Sequence, residues 1–376
     1  MKILHVIPSV GPLRAGPSVM VQTMAHGLAR AGVEVHVATT DDNGRERLDV
    51  PHGVPVVDEG VTYWYFPRQT RLYTFSWPLS RWLSRHVRAY DLVHIHALFS
   101  YAAIPAAFWS SHYGIPYIVR SLGTLNRWGL RHRRRWLKTL SLRFIEQRIL
   151  SGAAVVHYTS EQERLEAAEL GIVDRSVVIP NAVDMTRTPS GSVVGRFRAR
   201  YPELADRRIM LFLSRFDAKK SLDLLLPAFA RVRTRYPRAA LVLAVSGDPA
   251  LVAQLQHQAA GLGIGAEILW TGFLSGEEKW VAVVEAMACG LPVVVSDQVG
   301  IHQEVAAAHA GLVVRCDVEA LTEACSQLLG DAPLRAVMGR NGQALARRDF
   351  SLDAVTERLV ELYATLARSP ARAPAR

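Results

Sequence analysis

Apolar runs of strand length alternate with helix-length segments along this chain, and the alternation occurs twice. The first series opens with Lys2 to Pro8, a loop SVGPLRAGPS, a helical pattern from Val19 to Arg30 that stops at Gly32, and the run Val33 to Thr39. It continues through a strand region Val54 to Phe66, an aromatic helix Phe75 to Tyr90, the strand Asp91 to His96 and a helix Tyr101 to Tyr113. Strands Ile115 to Arg120, Ala153 to Tyr158 and Val177 to Ile179 follow. Met185 to Pro202 lacks apolar periodicity and reads as a linker. The series then restarts with strand Ile209 to Ser214, helix Leu222 to Tyr236, strand Ala240 to Ser246, helix Ala250 to Leu262 and strand Glu267 to Gly272. A small-residue helix carrying Glu285, strand Leu291 to Ser296 and strand Gly311 to Val314 complete it. Such series build doubly wound parallel sheets. The expected fold class is α/β, with two Rossmann-like domains over residues 1–187 and 203–350 facing a cleft, a C-terminal helix 351–367 and a disordered tail 368–376.

At 376 residues the chain is long enough for two such cores. Cys289, Cys316 and Cys325 neither cluster as CxxC nor pair with histidines, which argues against structural zinc and a disulfide framework and suits a reducing cytoplasm. No apolar run approaches the roughly 20 residues that span a bilayer, and the N-terminal run breaks at Pro8 with no cleavage pattern after it. The net charge of +10 favours anionic partners. It is concentrated in Arg127 to Arg148, where arginines interleave with Trp128, Trp136, Leu140 and Phe144, as in a helix with a basic face. Either that helix lies on an anionic membrane or it is a solvated helix packed on the sheet. No zinc-finger, helix-turn-helix or RNP motif supports nucleic acid binding.

In open parallel sheets ligands lie outside the carboxyl ends of the strands. That rule singles out Ser296, Asp297 and Gly300 after one strand, and Arg215 and Lys220 after another, where two cations could neutralise two phosphates. Gly11 and Gly16 in the first loop let backbone N–H groups approach an anion or sugar, although GPLRAGPS does not fit GxGxxG and serves equally as a tight turn. His94 and His96, two residues apart on one strand face, are metal ligands in search of a third or histidines of a core or pocket rim. Ser160 followed by Glu163 forms a capping box.

Together, SRFDAKKSLDLLLPAFA, GDP, TGFLSGEEK and VVEAMACGLPVVVSDQVGIHQEV resemble the C-terminal domain of retaining glycosyltransferases of family 4, which have the GT-B fold. The Gly16 loop, HIHALFS, RSLGTLNRWGL, TSEQE and IPNAVD are similar to that family's acceptor domain. The resemblance implies transfer of a hexosyl group from a nucleotide-diphosphate sugar to a polysaccharide or lipid-linked acceptor, with retention, no cofactor and no obligatory metal. Carried over by position, Arg215 and Lys220 would hold the diphosphate, the Gly16 backbone would approach it, and Glu285 would bind the ribose. Gly290 and Leu291 would lie against the donor, and His94, His96 and Arg120 would line the acceptor side. Fixed cations aimed at a departing diphosphate stabilise charge that grows in the transition state.

The chain also departs from the family. Between segments like TGFLSGEEK and VVEAMACG, relatives have a helix, a strand and a loop, whereas here Trp280 joins directly to Val281. The absent strand would neighbour the first strand of its domain, so Ile209 to Ser214 and Leu291 to Ser296 must pair directly or leave a gap. The absent loop would supply the first glutamate of a Glu-x7-Glu pair. Glu277 has that spacing from Glu285, but on one continuous helix the two stand about 80° apart and roughly 12 Å along the axis. Ala182 and Ser221 stand where the family has glycines. Weak or absent activity is therefore expected, and an inactive nucleotide-binding or scaffold relative is the alternative function.

Overall fold

In the computed structural model of the chain, the described residues are 1–14, 16–125, 135–172, 175–187, 195–215, 221–246, 249–272 and 282–368. Lys220, Glu277, the Trp280–Val281 junction, the start of the basic stretch and the expected tail from 369 onward lie outside them. The chain divides into two compact units, Met1–Ala182 together with the segment from Asp349, and Val183–Arg348. The C-terminal helix, which follows the second series in sequence, thus belongs to the first unit.

The strands of the first unit are β1 (Lys2–Ser9), β2 (Glu34–Thr40), the short ribbon β3 (Asp42–Asn43) and β4 (Glu46–Arg47), β5 (Pro55–Asp58), β6 (Val61–Phe66), β7 (Leu92–His96), β8 (Tyr117–Arg120), β9 (Val155–Tyr158) and β10 (Ser176–Val178). One eight-stranded sheet runs β10-β9-β8-β7-β1-β2-β6-β5, and β5 alone in it is antiparallel to its neighbour. The region Val54 to Phe66 is therefore a hairpin rather than one strand. Its turn, Glu59–Gly60, has both residues at positive φ, the geometry that matches strand twist in a two-residue turn. Every residue of β7 is buried, as in a central parallel strand with both faces covered.

Successive side chains of a strand point to opposite faces. On one face Leu4, Val6, Val93 and Ile95 pack with residues of the helices Trp77–His86 and Ala103–His112. On the other, Ile3, Ile7, Leu92 and Ile118 pack with Val21, Met24 and Leu28 of the helix Gly16–Arg30 and with Val355, Leu359 and Tyr363 of the C-terminal helix Leu352–Arg368. The candidate site lies on this second face.

In the second unit β11 (Arg208–Arg215), β12 (Ala239–Ser246) and β13 (Ile268–Trp270) form a parallel sheet in that order. β14 (Val293–Ser296) and β15 (Gly311–Val314) pair with each other in a separate two-stranded sheet. Among the described residues β11 does not pair with β14, so of the two expected arrangements the gap is the one observed. Leu226, Phe229, Val232, Leu241 and Leu243 centre the core of this unit. The expected linker contains a short helix, Arg196–Arg200, and the segment between the expected strands Leu291 to Ser296 and Gly311 to Val314 contains the helix His302–Ala307.

Candidate functional site

On the second face of the first sheet, an apolar residue near the start of four neighbouring strands is followed by a polar one. Ile3 gives way to His5 on β1, Leu92 to His94 and His96 on β7, Ile118 to Arg120 on β8, and Val155 to His157 on β9. Register places His5 opposite His94, and sets His96, Arg120 and His157 in one row across β7, β8 and β9. The four imidazoles and the guanidinium are all 0% exposed. Sequence reasoning found His94, His96 and Arg120 but missed His5 and His157, each a lone histidine within an apolar run.

Their hydrogen bonds fix the tautomers. His157 Nε2 lies 2.7 Å from the Ile179 carbonyl, which can only accept, so Nε2 carries the proton. In a neutral ring His157 Nδ1 is then an acceptor, and His94 Nε2, 3.3 Å away, must donate to it. That leaves His94 Nδ1 to accept from the Tyr363 hydroxyl at 2.6 Å. A second pair, His5 Nδ1 and His96 Nε2, is 2.9 Å apart. Burial pushes the pKa of His5 and of His157 down to about 3, with the nearby Arg120 charge adding to the effect. His94 and His96 are lowered by the same burial first, and then by the surrounding histidines and Arg120. Burial also lowers the Arg120 guanidinium to about 10.

The loop after β1 is braced by a carboxylate. Asp42 accepts from Arg14 Nε at 2.5 Å and pairs with the buried Arg68, whose backbone N–H donates to Asp41 at 2.7 Å. A Cβ on Gly11 would stand 2.7 Å from the Asp42 carbonyl, so only glycine lets the loop close there. Gly16 differs: it opens the first helix, and a Cβ on it would meet nothing within 4 Å, which leaves space beside its backbone. Glu163 is capped as expected, its N–H donating to Ser160 Oγ, but its carboxylate does not return to the cap N–H. It accepts instead from Ser121 Oγ, Gly123 N–H, and the N–H and hydroxyl of Thr159, tying the segment after β8 to the segment after β9.

In the second unit Arg215 is the last residue of β11, at the strand's carboxyl end. Glu285 is half-buried on the helix Ala282–Ala288, and after burial its charge is the next cause raising the Cys289 thiol pKa. Gly290 ends that helix. At φ 75° it donates to the Met287 carbonyl at 2.9 Å, while Leu291 N–H reaches back to Ala286 at 2.9 Å, a Schellman closure. Gly290 thus has a local structural role of its own, and Leu291 beside it is 47% exposed. Ser221 sits at φ 51°, in the left-handed region, just where a glycine is expected.

The description "Glycosyl transferase 4-like domain" matches residues 15–182, and "Glycosyl transferases group 1" matches in two pieces, 195–282 and 281–345. A GDP-mannose-dependent alpha-(1-6)-phosphatidylinositol monomannoside mannosyltransferase of Mycolicibacterium smegmatis is 31% identical over 245 residues, which cover 57% of this chain and 63% of that protein. The chain therefore spans somewhat less than two thirds of this relative. A D-inositol 3-phosphate glycosyltransferase of Corynebacterium urealyticum is 25% identical, with 96% of this chain and 93% of that protein covered. Among solved structures, sucrose-phosphate synthase of Thermosynechococcus elongatus superposes with a TM-score of 0.76 at 20% identity, covering 97% of this chain and 99% of that one. Anabaena HepE in complex with UDP and glucose gives 0.73 at 19%, covering 97% and 100%. At these identities the structures speak for the fold.

Proposed function

Because the chain is of the glycosyltransferase type with a 4-like domain followed by a group 1 domain, on a two-domain Rossmann-like GT-B fold, we propose that it moves a hexosyl group, with retention, from a nucleotide-diphosphate sugar to a lipid-linked or polysaccharide acceptor. The observation that carries this reading is the order of the two matches along the chain, 15–182 and then 195–345 in two pieces. Residues 1–187 take the acceptor and 203–350 the donor. Arg215 and Lys220 hold the diphosphate, the Gly16 backbone approaches it, and Glu285, Gly290 and Leu291 contact the donor. Glu277 is assigned no converging contact with Glu285. His96 and Arg120 serve the acceptor. The reaction uses no cofactor and no obligatory metal, because fixed cations carry the leaving group's charge. The Mycolicibacterium smegmatis relative, GDP-mannose-dependent and acting on a phosphatidylinositol monomannoside, supports a lipid-linked acceptor.

We further propose a cytoplasmic protein that touches an anionic membrane through residues 127–148. In support, Leu140 is 48% and Phe144 55% exposed, one helical turn apart and beside Arg143. Among the described residues no helix is long and apolar enough to cross a membrane. Salt-sensitive co-sedimentation with anionic liposomes that weakens in Arg143→Glu with Phe144→Ala is the expected result, and co-sedimentation indifferent to both changes would remove this part.

Transfer is impaired in this chain. The group 1 match divides at 281–282, and the described strands on either side of that division, β13 and β14, lie in different sheets. A missing segment accounts for both observations. Release of nucleotide diphosphate from UDP- and GDP-sugars, with and without a polyprenyl-linked acceptor, tests the reading: slow transfer is expected. Transfer at ordinary enzymatic rates of about 1–1000 per second would overturn impairment. Calorimetric binding of UDP or GDP without any turnover would favour the scaffold reading, and binding of neither would sink both.

A further inference from the structure

Among the described residues of the first unit two arginines are buried, and their surroundings differ. Arg68, 4% exposed, gives its guanidinium to the Asp42 carboxylate and to the carbonyls of Gly44 and Glu46. Arg120, fully buried, donates through Nη2 to Asn181 Oδ1, while its Nε and Nη1 have no partner. Among the described residues no carboxylate pairs with it. Glu163, which acts on its charge from nearby, is committed to Ser121, Gly123 and Thr159. An interior guanidinium without counter-ion or full hydrogen bonding is among the costliest groups a core can hold. Two ring nitrogens on the same face, His5 Nε2 and His96 Nδ1, are also buried without partners.

Two kinds of ligand suggest themselves here. His5, His94 and His96 each bring a nitrogen within 4.8 Å of the others, a spacing that suits a cation. The hydrogen-bond chain argues against one: His94 accepts from Tyr363 at Nδ1 and carries a proton at Nε2, so neither nitrogen has a lone pair for a metal. A permanent positive charge also sits one strand away, opposite His96. What remains unpartnered is rich in donors. Arg120 offers N–H at Nε and Nη1, and the His5–His96 pair offers one N–H and one lone pair whichever ring donates to the other.

We propose that Arg120, with His96 beside it, receives a phosphate-type oxyanion at the carboxyl edge of β7 and β8, the phosphate being the acceptor's own or free in solution. Both residues end their strands, where ligands of parallel sheets lie. A phosphate presents several acceptor oxygens to these donors and supplies the missing negative charge. Asn181, which holds the guanidinium's third nitrogen, is itself half-exposed, and its displacement opens the cation to the ligand. The inference rests on the acceptor role proposed for His96 and Arg120 and names what the acceptor carries there.

The test needs no donor and no transfer. The full chain is titrated with inorganic phosphate and, separately, with glycerol 3-phosphate, at ionic strength held constant with chloride, and followed by calorimetry and by the unfolding midpoint. Saturable one-site binding that raises the midpoint is expected. Asn181→Asp places a carboxylate on the guanidinium, and should raise the midpoint without phosphate while weakening phosphate binding by at least about tenfold. Arg120→Met should weaken it at least as much. Tighter binding of the ester assigns the anion to the acceptor, and equal binding assigns it to free phosphate. Absence of saturable binding, or binding that survives both variants within about twofold, would overturn the proposal, as would stoichiometric zinc retained at the three histidines. Transfer without phosphate binding would remove this inference and leave the function standing; phosphate binding without transfer would do the reverse.

Discussion

In the first unit β1 has a parallel partner on each side, β2 and β7, and the sheet runs unbroken through eight strands. In the second unit β11, the strand that opens the series, pairs with β12 alone among the described residues. Its remaining strands, β14 and β15, form a pair of their own. Among the described residues of the second unit, two small hydrogen-bonded sheets thus stand where the first unit has one continuous sheet. Leu211, on β11, is 54% exposed. The first unit meets the opposite difficulty. Its sheet is complete, yet its polar edge is filled with groups that are costly to bury.

Acid is expected to separate the units most strongly. His5, His94, His96 and His157 have folded pKa values below the ordinary 6.5, so below pH 6.5 the unfolded chain binds more protons than the folded one. Their contribution is whole above the unfolded value and is lost as pH falls from 6.5 toward about 3. Each histidine contributes up to about 1.4 kcal/mol per pH unit in that window. Limited proteolysis between pH 7 and about pH 4 should cut the first unit as acid opens it, and a first unit still resistant at about pH 4 would break the comparison.

Hydrogen exchange should rank the units the other way at neutral pH. Amides of β1 and β7 are expected to exchange at least about a hundredfold more slowly than those of β14 and of the open edge of β11. Equal protection would mean that the second sheet is closed by contacts its strand pairing does not reveal. Tyr363→Phe comes next. It removes the hydroxyl that donates to His94, leaves a buried acceptor unpaired, and should cost about 1–3 kcal/mol in the first unit, read from denaturant unfolding. Gly290→Ala should cost the second unit about 1–2 kcal/mol, because alanine is strained at φ 75° and its Cβ would stand 3.1 Å from Gln343 Nε2. The smallest effect is a gain: Ser221→Gly relieves a left-handed non-glycine residue and should stabilise the second unit by about 1 kcal/mol, seen as a higher midpoint.

Much of the architecture was legible from pattern. A buried parallel strand such as ALVLAVS announces itself by a nearly unbroken apolar run, and Gly32 marked the end of the first helix. The hairpin in Val54 to Phe66 was not, because the Glu59–Gly60 turn interrupts the apolar pattern too briefly to be read as a reversal. The helix His302–Ala307 was missed because six residues show less than two turns of periodicity. At the site, His94 and His96 drew notice as a pair, while His5 and His157 stood alone in sequence and met them only through strand register.

The sequence by itself determined the two alternating series, the strand ends that carry His96, Arg120 and Arg215, and the direct joining of Trp280 to Val281, because each is a matter of local order along the chain. Tertiary structure alone decided that the C-terminal helix brings Tyr363 to His94 across a sequence separation of 269 and, among the described residues, that β11 and β14 do not pair and that Arg120 is buried without a carboxylate partner. The physical reason is that pairing, burial and charge compensation depend on which strands become neighbours, and residues adjacent in a sheet are far apart in the chain.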